Sequence, residues 1–166
     1  MKRTALLIMA TVLGIATALL LASATKVEQS FPPLEVQGTT YQNACTAPER
    51  SELRRELPHE AHELIETLLC ASKTPARKAY LKQHVTPNVN AEYSGSGQED
   101  LQEVLQVDDE LLDHLMKAGE AWQVTTTVTD EQIEVMFFVN EACVQSRSLR
   151  LDQGRWMLYG LGAGCD

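Results

Sequence analysis

Four cysteines, two closely spaced histidines among glutamates, three arginines near the C-terminus and two tryptophans are the residues of this 166-residue chain whose types could do chemistry. Cys45, Cys70, Cys143 and Cys165 include no CxxC pair. Thiol–disulfide catalysis and a closed zinc site, which need tight ligand spacing, are therefore not on offer. An even number of cysteines behind an export signal favours two bridges. Asp152-Gln153-Gly154 reads as the turn of a terminal hairpin. A centre near residue 153 puts Cys143 opposite residue 163 and diagonal to Cys165, and a small bulge or a one-residue shift makes the two cysteines direct partners. That favours Cys143–Cys165 and leaves Cys45–Cys70. A straight helix of about 24 residues would hold Cys45 and Cys70 over 30 Å apart, whereas a bridge needs Cα atoms within about 7 Å. The second pairing thus predicts a sharp bend at Pro58.

His59-Glu60-Ala61-His62-Glu63 places two histidines three residues apart on neighbouring parts of one helix face, not in the HExxH spacing of zinc proteases. With Glu56 and Glu66 they read better as a solvated acidic face than as a metal site, and no metal or other cofactor is expected. Asp109, Glu110, Asp113 and His114 form a second polar cluster. Acid–base work there would require burial that raises a carboxyl pKa. Ser94, Ser96, Ser146 and Ser148 lack a nucleophile-elbow context, so no residue is assigned a catalytic role. Trp122, Phe137, Trp156 and Tyr159 could line a cleft on a sheet. Arg147, Arg150 and Arg155 gather near the last turn as the basic patch of an acidic chain, suited to a carboxylate. These seven side chains are the candidate ligand or partner surface.

The elements that must hold them follow from period and punctuation. Met1-Lys2-Arg3, the apolar run from Ala5 to Leu21 and Ala22-Ser23-Ala24 have the order of a signal peptide, with cleavage expected after Ala24. No stable membrane anchor should then remain, and a periplasmic or secreted location is expected. Residues 25–44, with Pro32-Pro33 and Gly38, read as a loosely held arm with a short strand conceivable at 34–37. Thr46 and Glu49 fit a capping box ahead of a helical unit that Pro58 either kinks or breaks into 48–57 and 58–70, and Thr74-Pro75 opens another helix running to about His84. Residues 87–97 read as a surface loop with a brief extended piece around Val89 to Tyr93. Ser96 and Glu99 fit a second capping box, with one helix or two over 97–118, Asp108 as an internal cap and Gly119 as the C-cap. Beyond Gly119 the period becomes 2, in strands at 122–128, 133–139 and 155–161. Met136 and Phe138 suggest that helices cover both faces of the sheet. Gly160-Leu161-Gly162-Ala163-Gly164 reads as a place for a bulge or the close approach of another surface.

The expected fold is α+β: a single disulfide-stapled domain over 45–166 with N-terminal helices packed on a C-terminal antiparallel meander of three or more strands. In order of elements it resembles the cone-shaped NTF2-like superfold, and a cystatin-like arrangement is close behind. The formal net charge of −9 becomes −11 once Lys2 and Arg3 are removed. Such a surface repels phosphate backbones and argues against nucleic acid as a partner. The expected function is an exported protein-binding module, for example an inhibitor or immunity-type factor against a basic protein. A small-ligand carrier or sensor with a pocket between sheet and helices is the alternative, and a small hydrolase or isomerase the third.

Overall fold

The computed structural model describes residues 38–95 and 100–166. The leader, the piece at 34–37, and Ser96 with Glu99 lie outside the described residues. The described residues form a mixed α+β fold: a short first strand, three α-helices, two strands, a fourth α-helix and four more strands, with all seven strands in one sheet.

Strand β1 (Thr39–Tyr41) lies in the stretch read as an arm and pairs antiparallel with a later strand, burying Tyr41. Helix α1 (Ala47–Glu56) has Thr46 as N-cap, but the capping box does not form. The Thr46 hydroxyl donates to the Asn43 carbonyl (3.0 Å), and Glu49 accepts from the Asn43 N–H (2.8 Å). Both side chains turn to Asn43 instead of to each other. Leu57 is extended (ψ 147°), as a residue before proline should be. Pro58 leads into a 3-10 turn (His59–Ala61) and then α2 (His62–Leu69). This break folds the helical unit back on itself and brings the Cα atoms of Cys45 and Cys70 to 5.3 Å, where they are bridged. Helix α3 (Pro75–Gln83) starts as read, with the Thr74 hydroxyl oxygen accepting from the Arg77 N–H at 3.3 Å.

Two readings fail directly after α3. Of the stretch 87–97 read as a loop, the described part, 87–95, is strand: β2 (Val85–Gly95) runs for eleven residues. Its Asn-, Ser- and Glu-bearing positions face water while Val85, Val89 and Ala91 are buried. Pro87 is tolerated because the ladder with the neighbouring strand shifts register between Val85 and Asn90. Residues 101–106 are not helix but strand β3 (Leu101–Gln106), paired antiparallel with β2 at the sheet edge. Leu101, Val104 and Leu105 imitate a helical stripe, yet Leu101 and Val104 are 56% and 64% exposed and only Leu105 packs against the core. The helix that remains is α4 (Asp109–Leu115), capped by Asp108, whose carboxylate accepts from the Leu111 N–H at 2.8 Å. Asp108→Ala should cost about 1 kcal/mol, read as a lower midpoint of denaturant unfolding at unchanged slope.

Gly119 does not cap α4, which ends four residues earlier. Ala118 and Gly119 both take positive φ (54° and 89°), and the N–H groups of Lys117 and Gly119 donate to the carbonyls of Leu68 and Leu69, each at 2.7 Å. The loop after α4 is thereby tied to the C-terminal carbonyls of α2, which a helix end leaves without partners.

Strands β4 (Trp122–Val128), β5 (Gln132–Asn140), β6 (Cys143–Asp152) and β7 (Arg155–Cys165) form the expected antiparallel meander. It is the middle of a larger sheet of order β1-β4-β5-β6-β7-β2-β3, in which β2 runs parallel to β7. The β6–β7 hairpin turns at Gln153-Gly154, and its register slips by one between Ser148 and Leu149, leaving Tyr159 as the extra residue. Cys143 thus sits directly opposite Cys165, and the two are bridged. The glycine-rich end is strand, and it serves close approach: a Cβ on Gly162 would fall 2.7 Å from the Ser146 hydroxyl oxygen. Leu53, Leu64, Ile65, Leu68, Leu81, Leu112 and Leu115 from the helices share one core with Val124, Ile133, Val135, Phe137, Leu149 and Leu158 of the sheet. The opposite face stays open, contrary to expectation, with Met136 47% exposed and Phe138 half-buried.

Candidate functional site: a buried basic cluster under the helices

Strand alternation sorts the seven candidate side chains onto two faces. Phe137, Arg147 and Trp156 point into the core, at 0%, 1% and 3% exposure. Trp122 and Tyr159 lie on the open face, where Trp122 meets Phe138 (ring centroids 5.4 Å apart) and Tyr159 lies under the Arg150 guanidinium (5.3 Å). Arg155 is exposed beside the last turn. The cleft lined by four aromatics does not form, and the three arginines do not make one patch. What the structure does bring together is Arg147 and Phe137.

Arg147 stands in β6 between Val135 of β5 and Leu161 of β7. Its guanidinium carbon lies 5.2 Å from the centroid of the Phe137 ring. One terminal nitrogen donates to the carbonyl of the adjacent Ser146 (2.7 Å), the other to the Gln145 side-chain oxygen (3.2 Å). The Nε–H has no partner. No carboxylate of the described residues forms an ion pair with it. Burial draws its pKa down to about 10, with Tyr93 opposing the shift.

Lys117, which sequence reasoning passed over as a late helix residue, supplies the second cation. Its Nζ lies 6.0 Å from the centroid of the same Phe137 ring, the residue is 7% exposed, and it too is without an ion pair among the described residues. Burial first, then the charges of Arg147 and Lys73, bring its pKa down to about 8, against a small opposing effect of Glu120. His114, on the exposed side of α4, is held below the usual histidine range by partial desolvation and by the charges of Lys117, Arg147 and Lys73. Burial above all, and then Glu103, keeps the Tyr93 hydroxyl protonated beyond its ordinary range.

Such a cluster is costly. The effective penalty for taking one ion out of water is several kcal/mol even after relaxation, and a cation–π contact returns about 2 kcal/mol when desolvated. Nearby like charges add to the cost. An anion placed there would satisfy the free Nε–H and offset the positive potential at once. A signal for Arg147 existed in the sequence: it precedes Leu149 by two, and therefore shares that residue's core-facing side. For Lys117 there was none, because the docking of its loop on α2 is a long-range event.

Other clusters are spoken for. His62 Nε2 lies 3.1 Å from the Leu57 carbonyl and His84 Nδ1 2.9 Å from that of Tyr80. Glu66 pairs with Arg54 and Glu63 with Arg77. Among the described residues no group of three His, Cys, Asp or Glu side chains is placed to hold a metal ion. No helix among them is long and apolar enough to cross a membrane. On the open face a groove of about 580 Å³ has Met136, Phe138 and Val144 in its lining together with Asp100, Glu141 and Asp166.

No family model matches the chain, and no curated protein matches it. A solved structure that is similar in part is a DUF4783 family protein from Bacteroides fragilis YCH46, at 11% identity and a TM-score of 0.34, over 67% of this chain and all of that one. A likeness of that size carries no argument about fold or function.

Proposed function

We propose that the protein is a small-ligand carrier or sensor of an oxidising, extracytoplasmic compartment, periplasmic or secreted, that holds an anion between sheet and helices. The carrying observation is Arg147: a guanidinium at 1% exposure with a free Nε–H and, among the described residues, no carboxylate partner. Strongly perturbed groups cluster at functional sites. The two disulfides suit an oxidising compartment. An NTF2-like or cystatin-like description of the domain is part of the same proposal, supported by the helices packed on one face of the sheet.

Titration calorimetry with benzoate and with inorganic phosphate tests it. At least one anion should bind the oxidised protein, and Arg147→Gln should weaken it by about tenfold or more, the worth of a charge-assisted hydrogen bond. Arg150→Gln should leave it unchanged. Because Lys117 loses its charge above about pH 8, affinity should fall between pH 7 and 9. Equal binding by wild type and Arg147→Gln would remove the proposal.

A second reading, a protein-binding module for a basic partner, draws on the open face of the sheet. There Met136, Phe138 and Val144 share a groove with three acidic side chains and, among the described residues, no basic one, on a chain of net charge −9. Charge of that sign speeds encounter with a basic partner and excludes acidic ones.

A further inference from the structure

We infer that the outer edge of β3 is a docking strand, and that its occupant is an extended segment of a partner protein, bearing lysine or arginine, that pairs there as an eighth strand. The inference rests on the second reading above, a basic partner, and names the surface and the mode of pairing. Strand β3 ends the sheet, with β2 on one side and, among the described residues, no strand on the other. Its ladder with β2 runs without a shift from Leu101 opposite Tyr93 to Gln106 opposite Asn88. In an antiparallel pair alternate residues turn their N–H and C=O groups away from the neighbour, so about three residues of β3 present both groups outward. Among the described residues no other backbone group bonds to them.

Folded proteins blunt such edges with proline, lysine, a bulge or a very short strand. The opposite edge of this sheet, β1, is blunted by its length of three residues. Strand β3 has six residues, Leu-Gln-Glu-Val-Leu-Gln, and apart from the charge of Glu103 uses none of these devices. Of the exposed large apolar side chains among the described residues, Leu101, Val104, Met136 and Leu151, the first two stand on β3. Strand alternation puts them on opposite faces, so an added strand meets an apolar neighbour on either side.

Charge selects the occupant. Between Lys82 and Lys117 the sequence has no lysine or arginine, while Glu92, Asp100, Glu103, Asp108, Asp109 and Glu110 fall in that interval. Glu103 stands opposite the buried Ala91 on the helix-covered side, and Glu92 opposite Gln102 on the open side. Each face of the edge thus offers a carboxylate to alternate side chains of an incoming strand. The groove of about 350 Å³ that Asp100, Leu101 and Gln102 help to line also contains Glu92 and, among the described residues, no basic side chain. A second copy of this chain would set Glu103 and its acidic neighbours against their like, which is unfavourable across a strand pair.

The test uses the oxidised full chain at about 0.15 M salt and a fluorescein-labelled peptide of about eight residues alternating lysine and valine. Amides of residues 101–106 that face outward should exchange rapidly in the free protein and slow by about tenfold or more with the peptide bound. N-methylation of the peptide throughout keeps every charge and removes every N–H donor, and should weaken binding by about tenfold or more, since main-chain bonds supply the affinity of an added strand. Val104→Lys, at an exposed position, should weaken the peptide by about tenfold through like charge at the edge. Glu141→Lys, in the open-face groove, changes the net charge by more and should alter binding by less than about twofold. Slow exchange of 101–106 in the free protein at every dilution overturns the inference, because the chain then covers its own edge, and slow exchange that relaxes on dilution overturns it in favour of a second copy. Binding that survives N-methylation, or that Glu141→Lys weakens more than Val104→Lys does, sinks the inference and spares the basic-partner reading. No saturable binding of the lysine peptide or of its arginine counterpart sinks both.

Discussion

Arg147→Met is expected to stabilise the folded protein, by about 1–4 kcal/mol in line with the replacement of buried charges by apolar side chains of similar volume, and to abolish anion binding. The side chain lies between Val135 and Leu161 over the Phe137 ring, an environment that accepts a thioether readily. The substitution removes a charge with no counterion and an N–H with no partner, while Gln145 and the Ser146 carbonyl lose only one hydrogen bond each. Denaturant unfolding at pH 7 measures the gain, with Arg150→Met, at the exposed stacked position on the other face, as the control near zero. A loss of stability on Arg147→Met would mean that the guanidinium is a structural brace, and the anion site would go with it.

The pH dependence has a definite sign. Lys117 titrates at about 8 in the folded protein against an ordinary 10.5, so between those values the unfolded chain binds the extra proton. Stability contributed by this group therefore rises as pH goes from about 8 towards 10.5, and below 8 its desolvation cost is fully present. Arg147→Met removes the leading like charge acting on Lys117 and should shrink that rise.

The second large effect concerns the helical half. Cys45→Ala/Cys70→Ala should lower the unfolding free energy by about 3 kcal/mol, the chain-entropy value for a bridge whose cysteines are 25 residues apart. The Cys143–Cys165 bridge spans 22 residues and has nearly the same worth on that scale. The two differ in what remains without them. Cys143 and Cys165 stay opposed by the whole β6–β7 ladder, whereas α1 is joined to α2 by an extended Leu57-Pro58 break and by the ion pairs of Arg50 and Arg54 with Glu66. Hydrogen exchange should accordingly show faster opening of α1 amides in Cys45→Ala/Cys70→Ala, and little local change at β6–β7 in Cys143→Ala/Cys165→Ala beyond the global loss. A stability change under about 1 kcal/mol for the Cys45–Cys70 bridge would show that the α1 contacts, not the disulfide, hold the fold-back.

Local signals carried much of this architecture. The alternation of Ile133, Val135 and Phe137, the turn at Gln153-Gly154, the cap at Asp108 and the stop at Pro58 are set by side chains within a few positions of the structure they specify. The Cys143–Cys165 bridge was legible from the local turn and hairpin register; Cys45–Cys70 followed by elimination, and the bend at Pro58 followed from that pairing. The capping box at Thr46 and Glu49 was misjudged because both side chains find a third partner at Asn43.

The tertiary structure alone decided the rest. Strand β2 exists because β7 offers it a parallel edge some seventy residues later in the chain, and no local period announces such a partner. Strand β3 pairs with β2 and buries almost nothing, so its side chains carry no face for the sequence to display. Whether an arginine or a lysine becomes a solvated charge or a buried one depends on what covers it. Arg150 and Arg147 are three residues apart in one strand, and only the helices packed over one face of the sheet make the first a surface group and the second the centre of the candidate site.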